Sequence, residues 1–158
     1  MIALPPDPPP IIGRASVIDG DTIEIHGQRI RIWGIDAPEG RQTCTARGET
    51  YRCGQEAANQ LAVFIDAKPV TCEPNGRPDR YRRMVARCEV TAPCEDVDCT
   101  NPIFRRDLGG WMVGSGWAVD FPRYSDGEHS EQQFDAQEGR KGMWAGEFQM
   151  PWDWRAAR

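Results

Sequence analysis

Histidine is nearly absent from this 158-residue chain: only His26 and His129 occur, and no two of its six cysteines form a Cys-x-x-Cys pair. A zinc centre built from such ligands is therefore not expected. No apolar run is long enough to span a bilayer. Positive charge is not in excess either. The formal net charge is -5 at pH 7, which argues against a broad basic face of the kind that grips nucleic acid in bulk. A few arginines focused in one cleft remain compatible with that balance. The first ten residues lack the basic stretch and apolar run of a secretory leader, and no internal repeat is visible.

What is present describes a turn-rich globular chain. Its composition is 39% hydrophobic and 27% charged, with 16 glycines and 13 prolines, so short strands and many turns are expected. The length suits one domain with a real core. Residues 1–12 read as a Pro-rich extension, and residues 13–158 as a single domain that includes a Trp-rich C-terminal tail.

Thr22-Ile23-Glu24-Ile25-His26 alternates polar and apolar residues, as does Arg29-Ile30-Arg31-Ile32-Trp33. Gly27-Gln28 between them makes a hairpin turn. A run from Ile11 to Ile18 precedes this pair, and Asp19-Gly20-Asp21 forms a tight turn. Pro38 ends the ladder. Residues 40–53 read as a polar loop. Residues 54–67 read as a helix, with Ala57, Leu61, Phe64 and Ile65 on one face. Strands follow at 70–73 and 83–90, then a loop at 91–102. A helix at 108–113 has Asp107 as its N-cap. Residues 117–119 read as a last strand and 128–141 as a third helix. The fold class expected is α+β: a five-stranded OB-type Greek-key barrel with three helices.

Six cysteines allow 15 pairings. Cys72 and Cys88 fall on strands expected to pair, while Cys44 with Cys53 and Cys94 with Cys99 each close a loop. These three bridges are expected, and they imply an oxidising compartment. A secreted or periplasmic protein whose leader is absent from this sequence fits that expectation. His26 and His129 read as surface or capping residues, and Trp111, Trp117, Trp144, Trp152 and Trp154 as packing groups.

The chemistry lies at the hairpin. Asp19 and Asp21 precede one strand, and Asp36 and Glu39 follow its partner. In an antiparallel pair the start of one strand lies beside the end of the next, so the four acids converge. Such a cluster is tolerable around a hard cation such as calcium or magnesium. Asp21 and Asp36 are the direct ligands, joined by a backbone carbonyl near Ala37 and by waters. Asp19 suits an outer position, orienting a bound water. Arg31, between Ile30 and Ile32, faces away from the core and can fork onto two phosphate oxygens. A second basic group lies at Asp79-Arg80-Tyr81-Arg82-Arg83. Two arginines and a divalent cation stabilise the charge of a hydrolysing phosphodiester. Glu39, outside the metal's ligands, can position or deprotonate the attacking water.

Val17-Ile18-Asp19-Gly20-Asp21-Thr22, Arg31-Ile32-Trp33-Gly34-Ile35-Asp36-Ala37-Pro38-Glu39 and Asp79-Arg80-Tyr81-Arg82-Arg83, in this order, resemble the staphylococcal nuclease (thermonuclease) family. So do Leu108 to Ala118 and Gly139 to Trp144, and the resemblance covers roughly residues 14–145. It implies an OB-fold barrel that binds one calcium ion. It also implies hydrolysis of DNA and RNA to 3′-phosphate products. By register, Asp21, Asp36 and the Ala37 carbonyl match the calcium ligands, Glu39 the general base, and Arg31 and Arg83 the phosphate-binding arginines. Tyr81 and Tyr124 are the candidates for contact with substrate. Arg82 stands where the family often has glycine. A monomer acting on nucleic acid, with no membrane partner, is the reading that follows. The alternatives are a catalytically silent binding module on the same fold and a periplasmic accessory protein of polysaccharide production.

Overall fold

The two alternating runs do form a hairpin, and it is the centre of the sheet. In the computed structural model, which describes residues 8–93 and 103–158, β3 (Thr22–Ile25) pairs antiparallel with β4 (Gln28–Ile32). Ile23, Ile25, Ile30 and Ile32 are all buried, so one face of the hairpin is committed to the core. The turn falls at His26 and Gly27, both with positive φ (51° and 80°), rather than at Gly27-Gln28; Gln28 pairs with Ile25, which moves the register by two residues and keeps the isoleucines on one face.

β1 (Ile11–Gly13) and β2 (Ser16–Asp19) come from the first run, with β2 antiparallel to β3 across the Asp19–Asp21 turn. β5 (Ile35–Asp36) leaves the hairpin and turns away from the sheet. The expected polar loop that follows holds a small hairpin of its own, β6 (Cys44–Ala46) with β7 (Glu49–Tyr51). The Cys44–Cys53 disulfide ties this hairpin to the start of α1 (Cys53–Ile65). Ala57, Leu61 and Ile65 on α1 face the core, as their spacing requires.

β8 (Val70–Pro74) and β9 (Met84–Pro93) pair antiparallel and place Cys72 directly opposite Cys88, where they are bridged. β9 runs parallel to β4 at its start. The main sheet is therefore ordered β1-β8-β9-β4-β3-β2, with β10 (Ile103–Asp107) also on β9. The five strands from β2 to β8 along this order are those of the expected OB-type barrel. β1 and β10 extend it. β9 continues to Pro93, beyond the loop start expected at residue 91, because β10 pairs with it from Asp107↔Glu89 to Ile103↔Pro93. The Cys94–Cys99 bridge lies outside the described residues.

α2 (Leu108–Gly114) starts at Asp107, whose side chain accepts a 2.7 Å hydrogen bond from the Gly110 N–H. β11 (Val119–Asp120) pairs with β5. α3 (Pro122–Ser125) and α4 (Ser130–Glu138) follow, then a 3-10 turn at Gly142–Ala145 and α5 (Pro151–Ala156). The described residues thus hold five α-helices where three were expected, the extra ones being one-to-two-turn segments too short to show a hydrophobic period. His129 occupies the N-cap position of α4 but is 4% exposed, edge-on to Trp33. It is a buried residue, because Gly34 and Gly109 leave room for its ring.

Candidate active site

Asp21 sits at the start of β3, and the β3–β4 register places Thr22 opposite Arg31. That register carries the Arg31 guanidinium back over the turn. Its Nη1 lies 3.0 Å from Asp21 Oδ2 and its Nη2 3.4 Å from Asp36 Oδ1. The first approach is close but off the hydrogen-bond axis, so Nη1 is buried without an aligned acceptor. The expected convergence of the two ends of the hairpin is thus realised.

Asp21 is further fixed by the chain around it. Its Oδ2 accepts from the Ala37 N–H at 2.9 Å, and its Oδ1 accepts from the Thr22 hydroxyl at 3.0 Å. It is the Ala37 amide, rather than its carbonyl, that these contacts engage. Asp36 on β5 is completely buried. Burial raises its carboxyl above the ordinary range; the hydrogen bond from Arg155 opposes this, and the charge of Asp21 adds to it. Asp19 is also raised, by burial first and then by the like charges of Asp21 and Glu39. Asp19 Oδ1 lies close to Gly40, the residue after Glu39.

Glu39 is positioned by a local clasp. Its N–H donates to Gln42 Oε1 at 3.2 Å, and its carbonyl accepts from the Gln42 N–H at 2.8 Å. Gln42 is fully buried, and its Nε2 also donates to the Gln149 carbonyl at 2.8 Å. Gly54, in the first turn of α1, lies against the Glu39 carbonyl so closely that a Cβ there would collide with it.

Arg83 arrives from the bend before β9. Asp79 accepts from the Tyr81 and Arg83 amides, both at 2.9 Å, and from Arg83 Nε at 2.6 Å. Burial works against the charged form of Asp79, but these hydrogen bonds from Arg83 and Tyr81 win and hold it below the ordinary range. Arg83 Nη1 then donates to Thr22 Oγ1 at 3.2 Å. One hydroxyl therefore bonds both Arg83 and Asp21. Arg82 takes φ 64°, the left-handed conformation that glycine adopts most easily, and its side chain is exposed. Tyr81 is exposed next to the Arg83 guanidinium, 5.4 Å from ring centroid to Cζ.

Tyr124 stands apart from this group. It is exposed on α3 and packs edge-on against Phe121 at 4.9 Å. Phe121 in turn stacks on Trp152 of α5.

Two participants are not among the expected site residues: Thr22, which closes the first motif but reads as an ordinary strand residue, and Arg155, which carries no local signal. Arg155 donates to Asp36 through both nitrogens, Nη1 to Oδ1 at 3.0 Å and Nη2 to Oδ2 at 2.7 Å, and Nη1 also reaches Glu39 Oε1 at 2.7 Å. Its pKa is raised chiefly by the Asp36 hydrogen bond. Among the described residues no group of three or more acids, cysteines or histidines is arranged as a ready set of metal ligands. The donors present are nonetheless all hard oxygens, and a guanidinium already bridges two of them. The chemistry of these donors is that of ligands for a hard cation such as calcium or magnesium, with Asp36 and Glu39 taken up by Arg155 here.

An α+β barrel of the OB type, with acids and arginines gathered at one end of its central hairpin, defines the class. The chain belongs to the staphylococcal nuclease homologue family, whose family model matches residues 29–146. Among curated proteins it is 42% identical over 140 residues to the succinoglycan biosynthesis protein ExoI of Rhizobium meliloti (strain 1021). That match takes in 85% of this chain and 65% of ExoI. It is 30% identical over 147 residues to protein ParB of Escherichia coli, covering 88% of this chain and 75% of that protein. It is 28% identical over 151 residues to a micrococcal nuclease of Shigella flexneri, covering 89% and 78%.

Proposed function

We propose that this protein is a calcium-dependent nuclease that hydrolyses phosphodiester bonds of DNA or RNA and leaves 3′-phosphates. The observation that carries this reading is the buried Arg31 Nη1, 3.0 Å from Asp21 yet lacking an aligned acceptor, in a cluster that also holds Asp36, Glu39 and Arg83. A guanidinium nitrogen buried without an aligned acceptor leaves Arg31 under-satisfied, and the 15% of its side chain that stays exposed is where a phosphate oxygen would be held.

Asp21 and Asp36, with the Ala37 carbonyl, would hold one calcium ion, and Asp19 would orient a water beside it. When bound, that ion supplies positive charge against the developing phosphorane oxygens. Arg31 and Arg83 bind the non-bridging oxygens and take up charge as it grows. Glu39 holds the attacking water and accepts its proton. Tyr81, beside Arg83, would contact the nucleotide at the cluster, and Tyr124, apart from it on α3, would meet only a more distant part of the substrate. A chain with net charge -5 depends on this local cluster rather than on a basic surface. The protein acts as a monomer. The Cys44–Cys53 and Cys72–Cys88 bridges support a secreted or periplasmic location. Among the described residues no helix is long and apolar enough to cross a membrane.

The test is digestion of plasmid DNA and of RNA with calcium or with EGTA, for wild type and Glu39→Gln. Cutting that needs calcium and falls by at least about a hundredfold in the variant is expected. Equal cutting by both proteins, or full cutting in EGTA, removes the mechanism. The likeness to ExoI favours a second reading, an accessory role in polysaccharide production. Loss of exported polysaccharide on deletion, restored equally by wild type and Glu39→Gln, would select it.

A further inference from the structure

Arg155 lies beyond the stretch matched by the family model, and it engages the two acids on which the proposed reaction most depends. Both oxygens of Asp36 are taken by its fork, and one nitrogen also holds Glu39. Asp36 is wholly buried, whereas the Arg155 side chain is 38% exposed, so the guanidinium closes the solvent side of the carboxylate.

The helix that carries it is poorly secured. α5 has six residues, far below the length at which a helix holds itself together in water. Pro151 is buried at its start, and Trp152 stacks on Phe121 with centroids 5.4 Å apart and planes 10° from parallel. The ion pairs with Asp36 and Glu39 complete the attachment. The chain just before α5 is pinned firmly. Glu147 exchanges backbone hydrogen bonds with Thr45 at 2.9 and 2.8 Å, and the Gln149 carbonyl accepts from Gln42 Nε2 at 2.8 Å. Thr45 lies on the hairpin clamped by Cys44–Cys53. The tether therefore ends at Gln149, and the helix after it is attached through the Trp152–Phe121 stack, the buried Pro151, the partly buried Trp154 and Arg155.

We propose that α5 is a built-in gate on the acidic site: Arg155 and a divalent cation exclude one another at Asp36 and Glu39, and cation binding releases the helix. The proposal rests on the metal-dependent reading above. A guanidinium satisfies the charge of the carboxylates, but it occupies the Glu39 oxygen needed for water and both oxygens of Asp36. Docked, the helix keeps the apo site neutralised and inactive. Released, it opens the site and exposes the Phe121 ring beside Tyr124, an aromatic surface for the bases of a single strand.

The experiment measures calcium binding by calorimetry and hydrogen exchange of the amides of residues 152–157, on the full chain. Arg155→Gln removes the competitor. Trp152→Ala loosens the same helix without touching the acids. Both are expected to bind calcium about tenfold more tightly than wild type, because the competent state is no longer a minor one. In wild type, saturating calcium is expected to abolish protection of the α5 amides. Unchanged or absent calcium binding in both variants overturns the gate, as does protection of α5 that persists at saturating calcium. If calcium opens α5 and no nucleic acid is cut, the gate stands and the nuclease reading falls. If calcium-dependent, Glu39-dependent cutting proceeds with α5 still protected, the nuclease reading stands and the gate falls.

Discussion

Arg83 is held by Asp79, four residues earlier, through a 2.6 Å contact between Nε and Oδ2. The same carboxylate accepts the amides of Tyr81 and Arg83, so one side chain shapes the bend and aims the arginine. Asp79→Asn keeps the shape but loses the charge. Cleavage is expected to fall about tenfold as Arg83 loses its orientation, with Arg83→Lys falling further because a point charge cannot fork. Kinetic comparison of the two variants checks this.

The same residue gives a stability signature. The folded carboxyl of Asp79 lies below its ordinary value of 3.8, so above that value the unfolded chain gains nothing from its charge that the folded chain does not exceed. Its contribution is complete above the unfolded value and is lost as pH falls through the folded one. Denaturant unfolding should find Asp79→Asn less stable than wild type by about 1 kcal/mol at neutral pH. The gap should close in strong acid. A constant gap at all pH values would contradict the assignment.

Gly54 offers a way to disturb Glu39 without altering any charge. A Cβ at this position collides with the Glu39 carbonyl, which must move away from the Gln42 clasp. Gly54→Ala is expected to lower the cleavage rate about tenfold or more, since small displacements of a positioned group are costly. Calcium affinity should change little, because Asp21 and Asp36 are held by other elements.

The Cys72–Cys88 bridge joins directly opposed residues of β8 and β9, 16 apart in sequence, and both are buried. Replacing both with alanine should cost about 3 kcal/mol, seen as a lower urea midpoint. Loss of Cys44–Cys53, which spans a separation of 9, should cost less in stability. It should loosen the hairpin at Thr45 to which Glu147 is pinned.

Much of this arrangement follows from local chemistry. The alternation of Ile23, Ile25, Ile30 and Ile32 commits one face of the hairpin to the core, and a slip of one residue would expose all four. The antiparallel pairing then brings Asp21 and Asp36 to the same end, while the turn at His26–Gly27 is what sets Thr22 opposite Arg31. The N-cap at Asp107 and the opposition of Cys72 and Cys88 are of the same kind, each specified by neighbours or by a single strand pair. Short elements were less legible. The β6–β7 hairpin, α3 and α5 are too brief to carry a period, and β9 runs past residue 91 only because β10 returns to pair with it.

What the sequence by itself determined is the hairpin, its buried isoleucine face and the acids at its end, because a period-2 pattern fixes the face; which residues pair across it was set by the turn at His26–Gly27, one residue earlier than the sequence suggests. Tertiary structure alone decided the second, two-pronged partner of Asp36. Arg155 stands 119 residues away, in a segment with no pattern that points to the acids. It arrives there because Glu147 and Gln149 pin the chain to Thr45 and Gln42, and Trp152 finds Phe121. A buried carboxylate needs a compensating cation, and the one it takes is set by which chain end the packing brings within reach.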